Sequence, residues 1–302
     1  MAQASPTKIA VLISGNGSNL QGKFPASALH ICYVLGSQKD GKVGYQSPLV
    51  DASNTPALPN TRIVSVISNR KDAYGLQRAA KASIPTERLS LLKYKKTLYP
   101  NNEETARQKY DEKLANVVLG IERGDKAEED KSGKKLEKPD VIVCAGFMHI
   151  LTESFLTPIE EAGIPIINLH PALPGAYDGA NAIERAHKDF QDGKTNKTGV
   201  MIHYVIKDVD RGEPIVIKEI PFESEDTDLD HLTERLHAVE HKAIVEGTRK
   251  AIESLLESTT RLKGARSAIQ SLKERQLRKG ASWCVLRRPT LLPLNLRMLT
   301  FI

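Results

Sequence analysis

The sequence predicts an α/β protein built on a mostly parallel sheet flanked by helices. Three observations carry this: short apolar β-rich runs recur along the chain, longer helical patterns alternate with them, and the first run closes on a glycine-rich turn. In such sheets ligands lie beyond the carboxyl ends of the strands, so residues at those ends are the first candidates for chemistry.

The first strand is expected over residues 8–14, KIAVLIS, running into Gly15-Asn16-Gly17. Further strands are expected over 62–68, 140–144, 165–169, 198–205 and 214–220, and helices over 73–82, 103–122, 153–161, 182–192 and 228–256. Residues 22–60 break this rhythm, with many turn formers and little periodicity, and a structureless stretch of that length is unusual inside a compact domain. Residues 123–138 are charge-dense and read as a solvated loop. The expected organisation is a domain over 1–257, carrying the irregular insertion at 22–60 and the charged loop at 123–138, followed by a basic extension over 258–302. The extension begins with helical composition after Gly264 and ends in WCVLRRPTLLPLNLRMLTFI, whose apolar residues follow no clear period. That terminus is expected to be poorly ordered or to pack in its own way.

With 302 residues and 33.3 kDa the chain is long enough to bury a sizeable core. Hydrophobic residues at 40% and charged residues at 26% exclude wholesale disorder, collagen and coiled coil. Cys32, Cys144 and Cys284 are too few and too scattered for a disulfide framework or a thiolate zinc site, and no metal is expected. No apolar run has the length of a membrane helix, and MAQASPTK lacks an apolar signal core, so a soluble cytoplasmic protein with no membrane partner is expected. The formal charge of +6 is uneven: residues 258–302 hold ten Lys/Arg against one Asp/Glu, net +9, and residues 1–257 are net −3. The basic tail lacks the interleaved aromatics of a nucleic-acid stacking platform, which argues against nucleic acid as the partner.

Three motifs stand at strand ends. Ser14-Gly15-Asn16-Gly17-Ser18-Asn19-Leu20 follows the first strand; its glycines let backbone N–H groups approach an anion, and Ser18 and Asn19 add donors at a helix start. Leu20 replaces the third glycine of a dinucleotide fingerprint and the Lys-Ser/Thr of a Walker loop is missing, so a phosphate cradle and a plain helix-start turn both remain open. In Ile166-Ile167-Asn168-Leu169-His170-Pro171, strand alternation puts Asn168 and His170 on one face. An amide donor beside an imidazole suits acyl transfer, the amide stabilising an oxyanion while the imidazole moves a proton; a structural histidine is the alternative. Asp208-Val209-Asp210-Arg211-Gly212-Glu213-Pro214 is a turn whose acidic residues either meet His170 and raise its pKa or serve turn geometry alone.

In order, KIAVLISGNGSNLQ, RIVSVISNRKDAYGLQRAAKASIPT, ARQKYDEKL, PDVIVCAGFMHILTESFL, INLHPALPGAYDGANAIERA, TGVMIHYVIKDVDRGEPIV and ERLHAVEHKAIVEGTRKAI resemble the phosphoribosylglycinamide formyltransferase family of purine synthesis. The resemblance implies a Rossmann-like formyltransferase fold, a mostly parallel sheet with an antiparallel C-terminal portion. It implies transfer of a formyl group from 10-formyltetrahydrofolate, as cosubstrate, to the amine of glycinamide ribonucleotide in IMP biosynthesis. Asn168, His170 and Asp210 match the family's catalytic trio, with His170 protonated beside Asp210. Gly17, Ser18 and Asn19 match its loop for the substrate phosphate, and Glu240 its acidic substrate-binding residue. Arg107 and Met148-His149-Ile150-Leu151, together with Asn168, match the folate-binding positions, His149 standing where many members carry Arg.

One departure is marked. Residues 22–48 interrupt what the family carries as a continuous helix, and Gly22-Lys23-Phe24 is encodable by GGTAAGTTY, which contains a splice-donor string. This opens the alternative of an inactive or binding-only homologue. Methionyl-tRNA formyltransferase would add a longer RNA-binding domain and formyltetrahydrofolate deformylase an N-terminal regulatory one, and neither pattern is read here.

Overall fold

The computed structural model describes residues 5–15, 49, 52–71, 73–125 and 136–283. Its strands are β1 (Thr7–Ile13), β2 (Thr61–Ser68), β3 (Thr86–Arg88), β4 (Val141–Cys144), β5 (Ile166–His170), β6 (Lys197–Tyr204) and β7 (Pro214–Pro221). Its principal helices are α1 (Tyr74–Lys81), α2 (Glu103–Val118), α3 (Glu153–Glu161), α4 (Ala182–Gln191) and α5 (Leu229–Trp283). The sheet runs β3-β2-β1-β4-β5-β6-β7. Pairings from β3 to β5 are parallel, and β5–β6 and β6–β7 are antiparallel, the mixed sheet the sequence predicts. Winding reverses between β1 and β4, so the crevice beyond their carboxyl ends is where this topology leaves room for a ligand.

Both faces of the central strands are covered, which is why they read as continuous apolar runs and not as alternations. On one face Ile9, Val11, Ile13, Val143 and Ile167 pack with Leu232, Leu236 and Ile244 of α5. On the other, Ala10, Leu12 and Ile142 meet Tyr110 and Leu114 of α2 and Phe155 and Ile159 of α3. Leu49 and Leu58, which fall in the stretch expected to be irregular, are fully buried in the first of these cores.

Three boundaries differ from expectation. The helix expected over 103–122 ends at Val118, because Gly120 enters the left-handed region (φ +71°) and the amides of Ile121 and Glu122 turn back to the Asn116 carbonyl. Thr86–Arg88 forms a three-residue edge strand on β2, too short and polar to leave a pattern. Helix α5 runs past residue 256 to Trp283. The chain divides into two compact units, Met1–Ser254 and Leu255–Ile302, and in the second unit the side chains of 260–275 are all exposed. Residues 16–48, 126–135 and 284–302, which include most of the insertion, of the charged loop and of the terminal stretch singled out above, lie outside the described residues. Among the described residues no helix is long and apolar enough to cross a membrane.

Within the first unit α5 approaches β6 so closely that Gly247 is the only size that fits there. A Cβ at Gly247 would stand 2.5 Å from Cγ2 and 2.8 Å from Cβ of Ile202, whose side chain is fully buried. Overpacking of this kind costs about 1–3 kcal/mol, and replacing a helical glycine by alanine returns about 1. Gly247→Ala is expected to lower stability by about 1 kcal/mol in a urea unfolding series, whereas a helix free of this contact would gain.

Candidate active site

Strand β5 carries the first two site residues. Asn168 pairs with Cys144 of β4 on one side and with His203 of β6 on the other, and His170 is opposite Met201. The turn between β6 and β7 brings Asp210 back over these strand ends, in the left-handed region at φ +56°. A non-glycine residue is strained there, and Asp is among the few that tolerate it.

The Asp210 carboxylate is the hub of the site. Its Oδ1 lies 3.4 Å from Asn168 Nδ2 and 3.4 Å from His203 Nε2; its Oδ2 accepts from the Gly179 amide at 2.8 Å and lies 3.4 Å from His170 Nδ1. Burial pushes the Asp210 pKa up, but the His203 hydrogen bond, the His170 ring and the Gly179 amide outweigh it and hold the carboxyl below its usual value. His203 is fixed from behind, its Nδ1 donating to the Tyr204 carbonyl at 2.8 Å, so its Nε2 is the atom that faces Asp210 and, at 3.3 Å, Asn168.

His170 corrects an expectation. Burial lowers its pKa below 6.5, and that effect exceeds the upward pull of Asp210 and of the Ala176 carbonyl, 3.4 Å from Nε2. At neutral pH the ring is therefore neutral beside its carboxylate rather than charged. With both ring nitrogens facing acceptors, Nδ1–H is held by Asp210 and Nε2 keeps its lone pair until a proton arrives.

Asn168, His170, His203 and Asp210 line a cavity of about 660 Å³ at the carboxyl end of the sheet. Its other wall is apolar: Met148 and Ile150 are each 53% exposed and line it with Leu151. This wall is sewn to the end of β1, since buried Ser14 accepts from the Met148 amide at 2.8 Å and its own N–H donates to the Gly146 carbonyl at 3.2 Å. The other expected site residues are placed differently. His149 also lines the cavity, but it is only 8% exposed and its ring is hydrogen-bonded to Asp111 of α2. Arg107 stands outside the lining of this cavity, in an adjoining one, and donates to the Ile150 carbonyl at 3.0 Å. Glu240 is fully buried on α5 and also outside the lining. Gly17, Ser18 and Asn19 lie outside the described residues. Among the described residues no group of three or more His, Cys, Asp or Glu is placed to hold a metal ion.

Sequence reasoning missed two contributors. His203 sits inside an apolar strand, and only the register that sets it opposite Asn168 gives it meaning. Gly212 was legible as a turn former, but its role is steric: a Cβ there would lie 1.7 Å from the Tyr204 carbonyl oxygen and 3.4 Å from His203 Nδ1.

A formyl transferase family model matches residues 41–248. Phosphoribosylglycinamide formyltransferase of Schizosaccharomyces pombe is 41% identical over 245 residues, covering 81% of this chain and 96% of that protein. The protein of the same name in Dictyostelium discoideum is 42% identical, covering 80% and 96%. Among solved structures, glycinamide ribonucleotide transformylase 1 from Symbiobacterium toebii superposes with a TM-score of 0.54 at 25% identity, covering 82% of this chain and 88% of that one.

Two outcomes follow from this geometry. An NMR titration is expected to give His170 a midpoint below 6.5, moving lower still in Asp210→Asn because the carboxylate's upward pull is lost; a midpoint above 6.5 would contradict the dominance of burial. Gly212→Ala is expected to cut formyl-transfer turnover by at least about tenfold, without removing a polar group, by displacing the turn that aims Asp210.

Proposed function

The chain belongs to the phosphoribosylglycinamide formyltransferase family of formyl transferases, and we propose that its cleft transfers the formyl group of 10-formyltetrahydrofolate to the primary amine of glycinamide ribonucleotide in purine (IMP) biosynthesis. The observation that carries this reading is the convergence of Asn168 and His170 on one ionised Asp210 inside a cavity with an apolar opposite wall. Relatives at 41% and 42% identity bear this enzyme's name, which favours it over the other formyl-folate enzymes and over a binding-only homologue.

The apolar lining suits a flat heteroaromatic ring: Met148, Ile150 and Leu151 would hold the pterin, braced from α2 by Arg107, which donates to the Ile150 carbonyl, and by Asp111, which bonds His149. Formyl-folate supplies an activated formyl group; the protein's part is to align and to move protons. Neutral His170 takes the proton of the attacking amine at Nε2 as the new N–C bond forms; the imidazolium that results is held by Asp210 at Nδ1 and by the Ala176 carbonyl at Nε2, and it returns the proton to the folate N10 as the formyl C–N10 bond breaks and tetrahydrofolate leaves. The Asn168 amide donates to the negative charge that develops on the carbonyl oxygen. His203 and the Gly179 amide keep Asp210 ionised and aimed, so its charge is available as His170 gains its own. Gly17, Ser18 and Asn19 are assigned to the substrate phosphate and Glu240 to substrate binding on the family pattern. Alignment of two bound substrates supplies much of the acceleration, since good alignment is worth roughly 7–11 kcal/mol. A cytoplasmic setting is part of this reading.

Purified chain mixed with glycinamide ribonucleotide and formyl-folate is expected to release deformylated folate, followed by absorbance. His170→Ala and Asp210→Asn are each expected to lower kcat by about 10²–10⁴. Undiminished turnover in His170→Ala would remove the mechanism.

A further inference from the structure

The segment that forms the apolar wall is not rigid by its own composition. Residues 145–152 lie between β4 and α3 with no regular hydrogen bonding of their own, and they present two large apolar side chains to the cavity. Something outside the segment has to hold it.

Helix α2 does so at three points. His149 Nε2 meets Asp111 Oδ1 at 2.7 Å, the Thr152 amide donates to Asp111 Oδ2 at 2.7 Å, and Arg107 Nη2 donates to the Ile150 carbonyl at 3.0 Å. Asp111 has no exposed surface and His149 only 8%, so this is a bond inside the protein and not a surface ion pair. The imidazole is also clamped by edge-to-face contacts, with Tyr110 at 5.2 Å and Phe147 at 6.0 Å between ring centroids. A buried carboxylate deprived of one donor is costly, so the register of the segment against α2 is fixed by these bonds. Met148 and Ile150, on either side of His149, are thereby turned outward to the cavity.

We propose that His149 is a positioning residue for the folate side of the cleft: through Asp111 it locks the Met148–Ile150 wall onto α2 and sets affinity for the pterin without itself binding it. The inference rests on the function assigned above. Removal of the bond should therefore weaken the cosubstrate selectively, because Asn168, His170 and Asp210 stand on other elements.

The test uses the full chain and two ligands measured separately by calorimetry, tetrahydrofolate and glycinamide ribonucleotide, together with steady-state kinetics. His149→Phe keeps a ring between Tyr110 and Phe147 but cannot bond Asp111. It is expected to weaken tetrahydrofolate by about tenfold, the factor that one lost buried hydrogen bond corresponds to, and to raise the KM for formyl-folate similarly. Affinity for glycinamide ribonucleotide and kcat should change by less than about twofold, as they would not for a general loss of structure. His149→Gln, whose amide can still donate to Asp111, should stay within about threefold of wild type. If His149→Phe does not fold, His149→Asn, too short to reach Asp111, carries the same expectation. Unchanged tetrahydrofolate affinity in the Phe or Asn variant, or equal losses for both ligands, overturns the positioning role alone. A wild-type chain that binds neither ligand overturns the function reading instead.

Discussion

A carboxylate taken out of water must be surrounded by donors, and the site is organised by that requirement at Asp210. Its two oxygens are shared among an amide side chain, two imidazoles and one backbone N–H, drawn from β5, β6 and the loop before α4. Each partner would be an ordinary polar group elsewhere; here each is oriented by the same charge. The left-handed backbone at Asp210 belongs to the same constraint, since a strained φ persists only where surrounding bonds over-determine it. Burial then acts in opposite ways on the two titrating partners. It works against the ionised Asp210, which hydrogen bonds rescue, and against protonated His170, which nothing in the free protein rescues fully. The result is an ionised acid beside a neutral base, the combination that receives a proton with least rearrangement.

Sheet register explains why these groups meet. Leu12, Cys144, Asn168 and His203 form one row across β1, β4, β5 and β6. The row is apolar where helices cover it and polar where the cavity opens, so the change from core to chemistry occurs within a single line of neighbouring residues. Because side chains alternate along a strand, a one-residue slip of β6 would carry His203 to the opposite face and remove the ring that stands 3.4 Å from Asp210 Oδ1.

Much of this was legible in the sequence, for reasons that differ by residue. The runs at β1, β4 and β5 are apolar on both sides because both faces are covered, and that pattern survives without coordinates. Asn168 and His170 were readable from their spacing, two apart at the end of one strand, whereas the turn around Asp210 fitted plain turn geometry as well as chemistry and was singled out only by the family resemblance. His203 was not, because its partner is across a strand pair and register is not written in the strand itself. The protonation of His170 was misread for a related reason: proximity to Asp210 was inferable, but the depth of burial that outweighs it depends on the whole cleft. Helix α2 shows the same limit at its end, where one glycine conformation stops a pattern that composition would have extended to residue 122.

The length of the connection between β1 and β2 can be weighed against the burial of the strands it joins. β1 and β2 are neighbours in the sheet although their connection takes residues 14–60. Lengthening such a connection raises closure entropy by only about 0.6 kcal/mol per doubling. Against that, Ile9 through Ile13 have no exposed surface, and burying one large apolar side chain contributes about 1.5–3 kcal/mol. The cost of a longer connection is therefore small beside the burial of the strand it follows, and Ser14 is anchored to Gly146 and Met148 by bonds that do not involve residues 22–48. An anion cradle has no such margin, since it depends on backbone N–H groups within a few residues of the strand end and on the helix start that aims them. If Gly17, Ser18 and Asn19 hold the substrate phosphate as proposed, changes to 22–48 should alter binding of the phosphorylated substrate well before they alter the fold, whereas changes at Asp210 or Gly212 act on the chemistry itself.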